Sequence, residues 1–147
     1  MHRRDDGFTL IETMVVVAIM AILMAIGMVS YARYTHLADD SRIQLDLVTA
    51  TKVQALYHLE FDTFTADGVV LRGLEPNLGY SLDGVDGTLV VTIQLDHAAD
   101  EVCIFGQSGS GTWFAVYHSV YAADRFGRSA PIGCTPANAA GWSTEGW

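Results

Sequence analysis

An apolar run that contains a single charge constrains this chain more than any other feature. Residues 8–29 include one charged side chain, Glu12. As an α-helix, a run of this length extends about 33 Å, enough to cross a bilayer core of about 30 Å. A carboxylate at the centre of such a segment costs about 2.5–3.5 kcal/mol, and less near an end. The run predicts a membrane-spanning helix whose one acid has a function that requires a partner.

The residues that open this run form a motif. Gly7-Phe8-Thr9-Leu10-Ile11-Glu12 follows a short charged leader and precedes the apolar residues. The arrangement resembles the class III signal of type IV pilins and type II secretion pseudopilins. The resemblance implies that residues 1–7 are a leader peptide, that a prepilin peptidase cleaves between Gly7 and Phe8, and that the new amino group of Phe8 is methylated.

The resemblance also gives Glu12 a partner. Its carboxylate would neutralise the Phe8 ammonium of a neighbouring subunit as the helix enters a filament, and two charges that are each costly in lipid become tolerable when paired. The expected partners are other copies of this chain, the prepilin peptidase, the membrane before assembly, and an inner-membrane platform with its ATPase machinery.

Two other interpretations of the N-terminus stay open. Residues 30–32 resemble the small-x-small cleavage site of a secretory signal peptide, although the apolar run exceeds the usual length of about 7–15 residues. Glu12 would also interrupt that run. A plain signal anchor fits the length and leaves Glu12 unexplained.

The helix is expected to continue beyond the membrane segment, 8–29, as an amphipathic stem over residues 30–62, because residues 31–62 contain no glycine or proline. At about 100° per residue, one side collects an apolar row that is predicted to pack under a sheet. The row is Leu37, Leu45, Val48, Ala55, Leu56 and Leu59, with Lys52 among them.

The other sides of the stem receive separate predictions. The residues expected to lie away from the packing side are Asp39, Asp40, Asp46 and Gln54. Ile43 and Leu47 project from the opposite side, where they are either isolated exposed aliphatics, which are common, or a contact with a neighbouring stem.

The remaining residues predict a connecting loop and a β-rich head, and the fold class is α+β. Residues 63–79 form the loop, with a short element at 69–71, and residues 80–147 form the head. The expected strands are 80–82, 88–95, 102–105 and 112–118, with a hairpin loop at 83–87. Alternation within 88–95 gives an apolar face that should meet the stem. The product is a long N-terminal α-helix packed on a three- or four-stranded antiparallel β-meander, with an irregular region from residue 120.

Two cysteines and two tryptophans mark the C-terminal part. Cys103 and Cys134 predict a disulfide if the head folds in an oxidising compartment; the alternative is two buried thiols. The pair resembles the disulfide-bounded C-terminal loop of type IV pilins, and closing such a loop stabilises by about 3–4 kcal/mol. Trp142 and Trp147 either dock on the head, dock on the next subunit, or are exposed.

Charge and motif spacing argue against several kinds of site. The net charge of −9 provides no basic surface for nucleic acid. The glycine- and serine-rich stretch 106–111 matches neither a nucleophile elbow nor a phosphate loop. The histidines share no register, and Asp83 and Asp86 lack the alternating oxygen ligands of a calcium loop. We expect no catalytic, cofactor or metal site.

The sequence therefore predicts a structural subunit of a type IV pilus-like surface filament and no enzyme. Within that class, a type II secretion pseudopilin and a minor or competence pilin are the alternatives, and the cysteine-bounded tail favours a pilin. From another class, the alternative is a membrane-anchored extracellular binding domain that never polymerises. The expected location is the cytoplasmic membrane as a precursor and then the cell surface.

Overall fold

The computed structural model describes residues 8–80, 89–94, 100–128 and 136–147. Its elements, in chain order, are α1 (Leu10–Phe61), α2 (Gly68–Leu74), β1 (Leu89–Gln94), β2 (Glu101–Gln107), β3 (Trp113–Ser119), β4 (Ala122–Gly127) and α3 (Pro136–Ala139). Two compact units share the chain: the first ends at His36, and the second is Leu37–Trp147.

The first unit is helical and fully exposed in its apolar part. Every large apolar side chain described between Phe8 and Met28 is more than half exposed. Within the described residues, α1 is the helix that is long and apolar enough to cross a membrane. The predicted boundary between membrane segment and stem, at residue 29, stays a prediction.

The second unit contains a four-stranded antiparallel sheet in the order β1-β2-β3-β4. Neighbours in the sheet are neighbours in sequence, so the sheet is a meander. Ile104 in β2 lies opposite Val91 in β1 and Val116 in β3. The predicted α+β class, with a long helix packed on an antiparallel meander, is confirmed.

One core joins the second half of α1 to the sheet. The side of α1 that packs inward, here called the inner face, is made of Ile43, Leu47, Ala50, Thr51, Val53 and Gln54, all buried. Its apolar members share a cluster with Val102 and Ile104 of β2 and with Phe114 and Val116 of β3. Phe64, Leu71, Leu78 and Tyr80, from the segment after α1, complete the same cluster.

The predicted packing side of the stem was wrong. Leu37, Leu45, Leu56 and Leu59 are between 53% and 83% exposed, whereas Ile43 and Leu47 are 2% or less exposed. Both sides of the stem are apolar, and helical periodicity groups residues by side without saying which side meets the sheet. The sheet accepts the row that contains Ala50 and the two polar residues Thr51 and Gln54, and not the row with four leucines.

The predicted placement of two polar stem residues was also wrong, because Gln54 bonds to the segment after α1 and Asp40 bonds to the β2–β3 loop. Gln54 is fully buried, and its side-chain amide donates to the Thr65 carbonyl (2.6 Å) and accepts from the Thr65 amide (3.2 Å). Both ends of the buried amide are therefore satisfied, which removes most of the cost of burying it. The bonds also fix the chain as it turns back from α1.

Asp40 fastens the β2–β3 loop to the stem. One of its carboxylate oxygens accepts from the Ser108 hydroxyl at 2.6 Å and from the Ser110 hydroxyl at 2.5 Å. A Cβ on Gly109 would lie 2.9 Å from an oxygen of Asp39, so glycine permits this close approach. The glycine- and serine-rich stretch is thus a strand connection that anchors the sheet on α1.

Asp46 is a second stem acid that does not lie freely in solvent. It is half-buried, and burial raises the pKa of its carboxyl while the Arg42 charge opposes that rise. Burial also raises the pKa of Tyr80 to about 12, with contributions from Glu75 and Asp46. The ionised Asp46 carboxylate is disfavoured in the folded chain. Burial of Asp46 therefore lowers the free energy of unfolding as the pH rises above the ordinary pKa of the carboxyl, and the loss is complete above its raised pKa in the folded chain.

The segment after α1 begins with an unusual backbone position. Asp62 has φ of 56°, and its amide donates to the His58 carbonyl at 2.8 Å, which ends the helix in a left-handed cap. Helix α2 follows, and the Asp67 carboxylate caps it by accepting from the Val69 amide at 2.8 Å. The short element predicted at 69–71 is this seven-residue helix.

The described sheet ends in a strand that the sequence did not predict. Strand β4 (Ala122–Gly127) pairs with β3 in a region that was expected to be irregular. Its alternation is weak because Ala122 and Ala123 are exposed and small, so periodicity did not reveal it. Of the strand predicted at 80–82, residues 81–82 lie outside the described residues, as do the 83–87 loop and the side chains of β1.

The C-terminal tail docks on β4, which settles the placement of both tryptophans. Ser143 forms an antiparallel bridge with Phe126. The Trp147 indole N–H donates to the Gly127 carbonyl at 3.1 Å, and its ring packs against Phe126. Trp142 covers Gly127, where a Cβ would lie 2.3 Å from the indole ring.

Two leucines of the stem provide a matched test of the packing side. Leu47→Ala should lower the free energy of unfolding by about 2–5 kcal/mol, because it opens a cavity in the core. Leu45→Ala, an identical change on an exposed residue, should alter it by less than about 0.5 kcal/mol. Urea unfolding of the full chain in detergent, followed by tryptophan fluorescence, measures both. A larger loss for Leu45→Ala would restore the packing side predicted from the sequence.

Candidate assembly site at the start of the N-terminal helix

Thr9 and Glu12 determine where α1 begins. The Thr9 carbonyl accepts from the amides of Glu12 at 3.1 Å and Thr13 at 3.3 Å. The Thr9 hydroxyl oxygen accepts from the Glu12 amide at 3.3 Å and lies 3.5 Å from a Glu12 carboxylate oxygen, to which the hydroxyl donates. A threonine at the N-cap with a glutamate three residues later is the sequence pattern of a capping box. The first free amides of the helix are partly satisfied in this way.

Glu12 is exposed and carries a charge that the described part of the chain does not balance. No Lys, Arg or His among the described residues forms an ion pair with it. Its neighbours on the helix are exposed and apolar, including Phe8 (83% exposed), Ile11 and Val16. An acid in the first turn suits the positive end of the helix dipole.

The predicted site residues fall into two groups. Phe8 and Glu12 lie together at the start of the first unit, while Gly7 lies outside the described residues. Cys103 is fully buried in β2, in a cluster with Phe105, Tyr117 and the α3 residue Ala139. Cys134 lies outside the described residues, so the disulfide stays a prediction.

The sequence reasoning missed the role of Thr9. The signal was present, because threonine followed three residues later by glutamate, just before an apolar run, is a helix-start pattern. Interpreted as a signal for processing and assembly, the six-residue motif gives Thr9 no role. Thr9 is therefore the residue of the site that the structure adds.

Two histidines, His58 of α1 and His118 of β3, each pair with an aspartate and contact the same aromatic ring. His58 Nε2 lies 3.5 Å from an Asp100 carboxylate oxygen, and His118 Nδ1 lies 2.5 Å from one of Asp124. Both imidazole rings contact Phe64. Among the described residues, no group of three or more His, Cys, Asp or Glu could hold a metal ion. Asp83 and Asp86 lie outside those residues.

These observations define a class of protein. An exposed apolar helix begins with a capped turn and an unbalanced acid, and its continuation packs on an antiparallel meander. These features describe an α+β head carried by a long apolar helix, which can span a membrane or pack among other helices.

Comparison with known proteins places the chain within that class. Residues 2–28 match the prokaryotic N-terminal methylation motif. The chain is 30% identical over 113 residues to the type IV wide pilus major component PilA4 of Thermus thermophilus, a match that covers 77% of this chain and 82% of that protein. It is 45% identical over 63 residues to prepilin peptidase-dependent protein D of Escherichia coli, covering 41% of this chain and 43% of that protein. The chain belongs to the type IV pilin family.

The capping role of Thr9 can be tested against Thr13, which lies on the next turn and donates its hydroxyl to the Leu10 carbonyl. Thr9→Ala removes the cap, a loss of about 0.5–2 kcal/mol for a helix start. Amide hydrogen exchange in detergent micelles, measured by NMR, should show Glu12 exchanging several-fold faster. Thr13→Ala should leave that rate nearly unchanged. Equal exchange rates in both variants would contradict the cap.

Proposed function

We propose that this chain is a structural subunit of a type IV pilus-like surface filament, made as a membrane-anchored precursor and polymerised through its N-terminal helix. The observation that carries the proposal is Glu12, an exposed acid without a counter-charge in the first turn of an exposed apolar helix. A helix of this kind is stable in lipid or among other apolar helices, and its acid requires a cation in either place.

Processing supplies that cation. A prepilin peptidase cleaves between Gly7 and Phe8, and the new amino group of Phe8, once methylated, is a positive charge at the end of the helix. As a subunit leaves the membrane for the filament, this ammonium pairs with Glu12 of a neighbouring copy. The pair removes two charges that would each be costly in an apolar environment.

The names of the relatives support this assignment. The Thermus thermophilus protein is a major pilus component, and the match covers 82% of it. The Escherichia coli protein depends on a prepilin peptidase. We infer the same partners here: the peptidase, an inner-membrane assembly platform with its ATPase, and further copies of the chain.

Two alternatives remain within the family, a type II secretion pseudopilin and a minor or competence pilin. The match to a major pilus component favours a pilin. A membrane-anchored binding domain that never polymerises is the alternative from another class, and it provides no function for an unbalanced acid in the apolar helix. We also infer a disulfide between Cys103 and Cys134, because Ala139, in the short helix just after Cys134, packs in the cluster that contains Cys103.

Processing is tested by mass. Intact-mass and N-terminal peptide analysis of chain taken from the cell surface should find a first residue Phe8, one added methyl group, and the loss of two hydrogens for one disulfide. A retained Met1 terminus would exclude prepilin processing. A first residue Arg33 would instead indicate a secretory signal peptide.

The assembly role of Glu12 requires a comparison that separates charge from capping. Glu12→Ala should leave cleavage intact and reduce sheared surface filaments at least tenfold, because the neighbouring ammonium loses its partner. Thr9→Ala keeps the charge and removes the cap, so it should retain filaments. Glu60→Ala removes an exposed acid near the other end of the helix and is the control for net charge.

Each outcome of this series has a clear meaning. Normal filament yield in Glu12→Ala would refute its assembly role. Equal losses in Glu12→Ala and Thr9→Ala would assign the effect to the helix start and not to the charge.

A further inference from the structure

The side of the stem that faces away from the sheet is apolar, and its leucines are exposed. This outer face consists of Leu37, Leu45, Val48, Ala55, Leu56 and Leu59, with Lys52 among them. Its four leucines are between 53% and 83% exposed. Contiguous apolar surface on one side of a helix is unusual for a monomer and marks a contact site.

Lys52 gives the outer face its only charge. It is exposed, and no acid among the described residues forms an ion pair with it. A lysine can lay its methylenes along apolar neighbours and keep its ammonium available at the edge. The outer face is therefore apolar and carries one positive charge.

Helix α2 carries a second uncovered apolar surface in the same unit. Its inward residue, Leu71, is fully buried, while Val69, Val70 and Leu74 are 77%, 38% and 49% exposed. We call these three exposed residues the α2 face. Acids flank the α2 face at both ends of the helix: Asp67 is the N-cap and Glu75 the C-cap.

The acids beside the α2 face keep capacity for a further partner. Asp67 accepts from the Val69 amide, and Glu75 accepts from the amide and side chain of Asn77. Each carboxylate has about four acceptor positions, so both can also bind an ammonium. The one nearby cation, Arg72, donates to the Tyr80 carbonyl at 3.0 Å. The α2 face is apolar with a negative rim.

We propose that the outer face of α1 binds the α2 face of a second copy of this chain, with Lys52 placed between Asp67 and Glu75. An open filament needs a heterologous contact, in which two different surfaces of one subunit meet on successive copies. The outer face and the α2 face are two such surfaces, both apolar and opposite in charge. The contact rests on the proposed function, because it requires that the chain polymerises.

Photo-crosslinking in assembled filaments tests the contact. The photoreactive residue p-benzoylphenylalanine replaces exposed Leu56 in the full chain, and sheared filaments are irradiated, digested and analysed by mass spectrometry. Cross-linked peptides should contain residues 67–75 of another copy. The same probe at exposed Thr144, in the C-terminal tail, is the control and should not mark residues 67–75.

The outcomes separate the two proposals. Cross-links from position 56 to lipid, to another protein, or to a different part of this chain would overturn the contact, as would the absence of cross-links in well-formed filaments. If the unmodified chain forms no filaments, the proposed function fails first.

A charge exchange gives an independent measurement. Lys52→Glu should lower the ratio of filamentous to membrane-bound subunit about threefold or more, because a surface attraction becomes a repulsion. The paired change Lys52→Glu with Glu75→Lys should restore at least half of the lost assembly. Lys52→Glu with Glu145→Lys is the control, since it restores the same net charge at an exposed acid of the C-terminal tail, outside both faces. Equal loss in the single and Glu75-paired variants would overturn the proposal.

Discussion

The head depends on the packing of the inner face of α1 against β2 and β3. Ile43 and Leu47 are almost fully buried against Ile104, Val116 and their neighbours. A fully buried aliphatic side chain contributes about 1.5–3 kcal/mol, so a few of them outweigh any surface contact in this chain. Hydrogen bonds then hold two connections against this core: Gln54 fixes the turn after α1, and Asp40 fixes the β2–β3 loop. With the inner face committed to the sheet, the outer face remains for another partner.

The sequence alone predicted the class of this fold but not the direction in which the stem packs. The processing motif, the unbroken helix and the antiparallel meander all follow from local patterns of residues. The direction does not, because two sides of the helix are apolar and the choice depends on tertiary fit. Shape and satisfied polar groups decided it: Ala50 allows close approach, and Gln54 finds both of its bonds in Thr65.

Strand β4 shows a different limit of sequence reasoning. Its position depends on contacts with residues that are distant in sequence. Ser143 bridges to Phe126, and Trp142 packs over Gly127, where any side chain would clash with the indole ring. Arg125 binds the carbonyls at the end of α3. None of these contacts is visible as a local period. In the candidate site the limit was one of interpretation: the Thr9–Glu12 helix-start pattern was present, but the motif was interpreted as a signal for processing and assembly and not as a helix cap.

Charge sets the conditions under which such a chain can polymerise. Residues 1–7 contain two basic and two acidic residues, so the net charge is −9 with or without them. Each added subunit therefore brings like charges together, and self-repulsion of this kind keeps unassembled chains apart. Assembly must overcome the repulsion by burying apolar surface, and the outer face and the N-terminal run are where that surface is uncovered. A lysine within an apolar face lowers the electrostatic repulsion between two acidic subunits where they touch. Salt screens charges less there than on the open surface, because the contact excludes water. The scarcity of basic residues thus gives Lys52 an importance that its exposed position alone would not suggest.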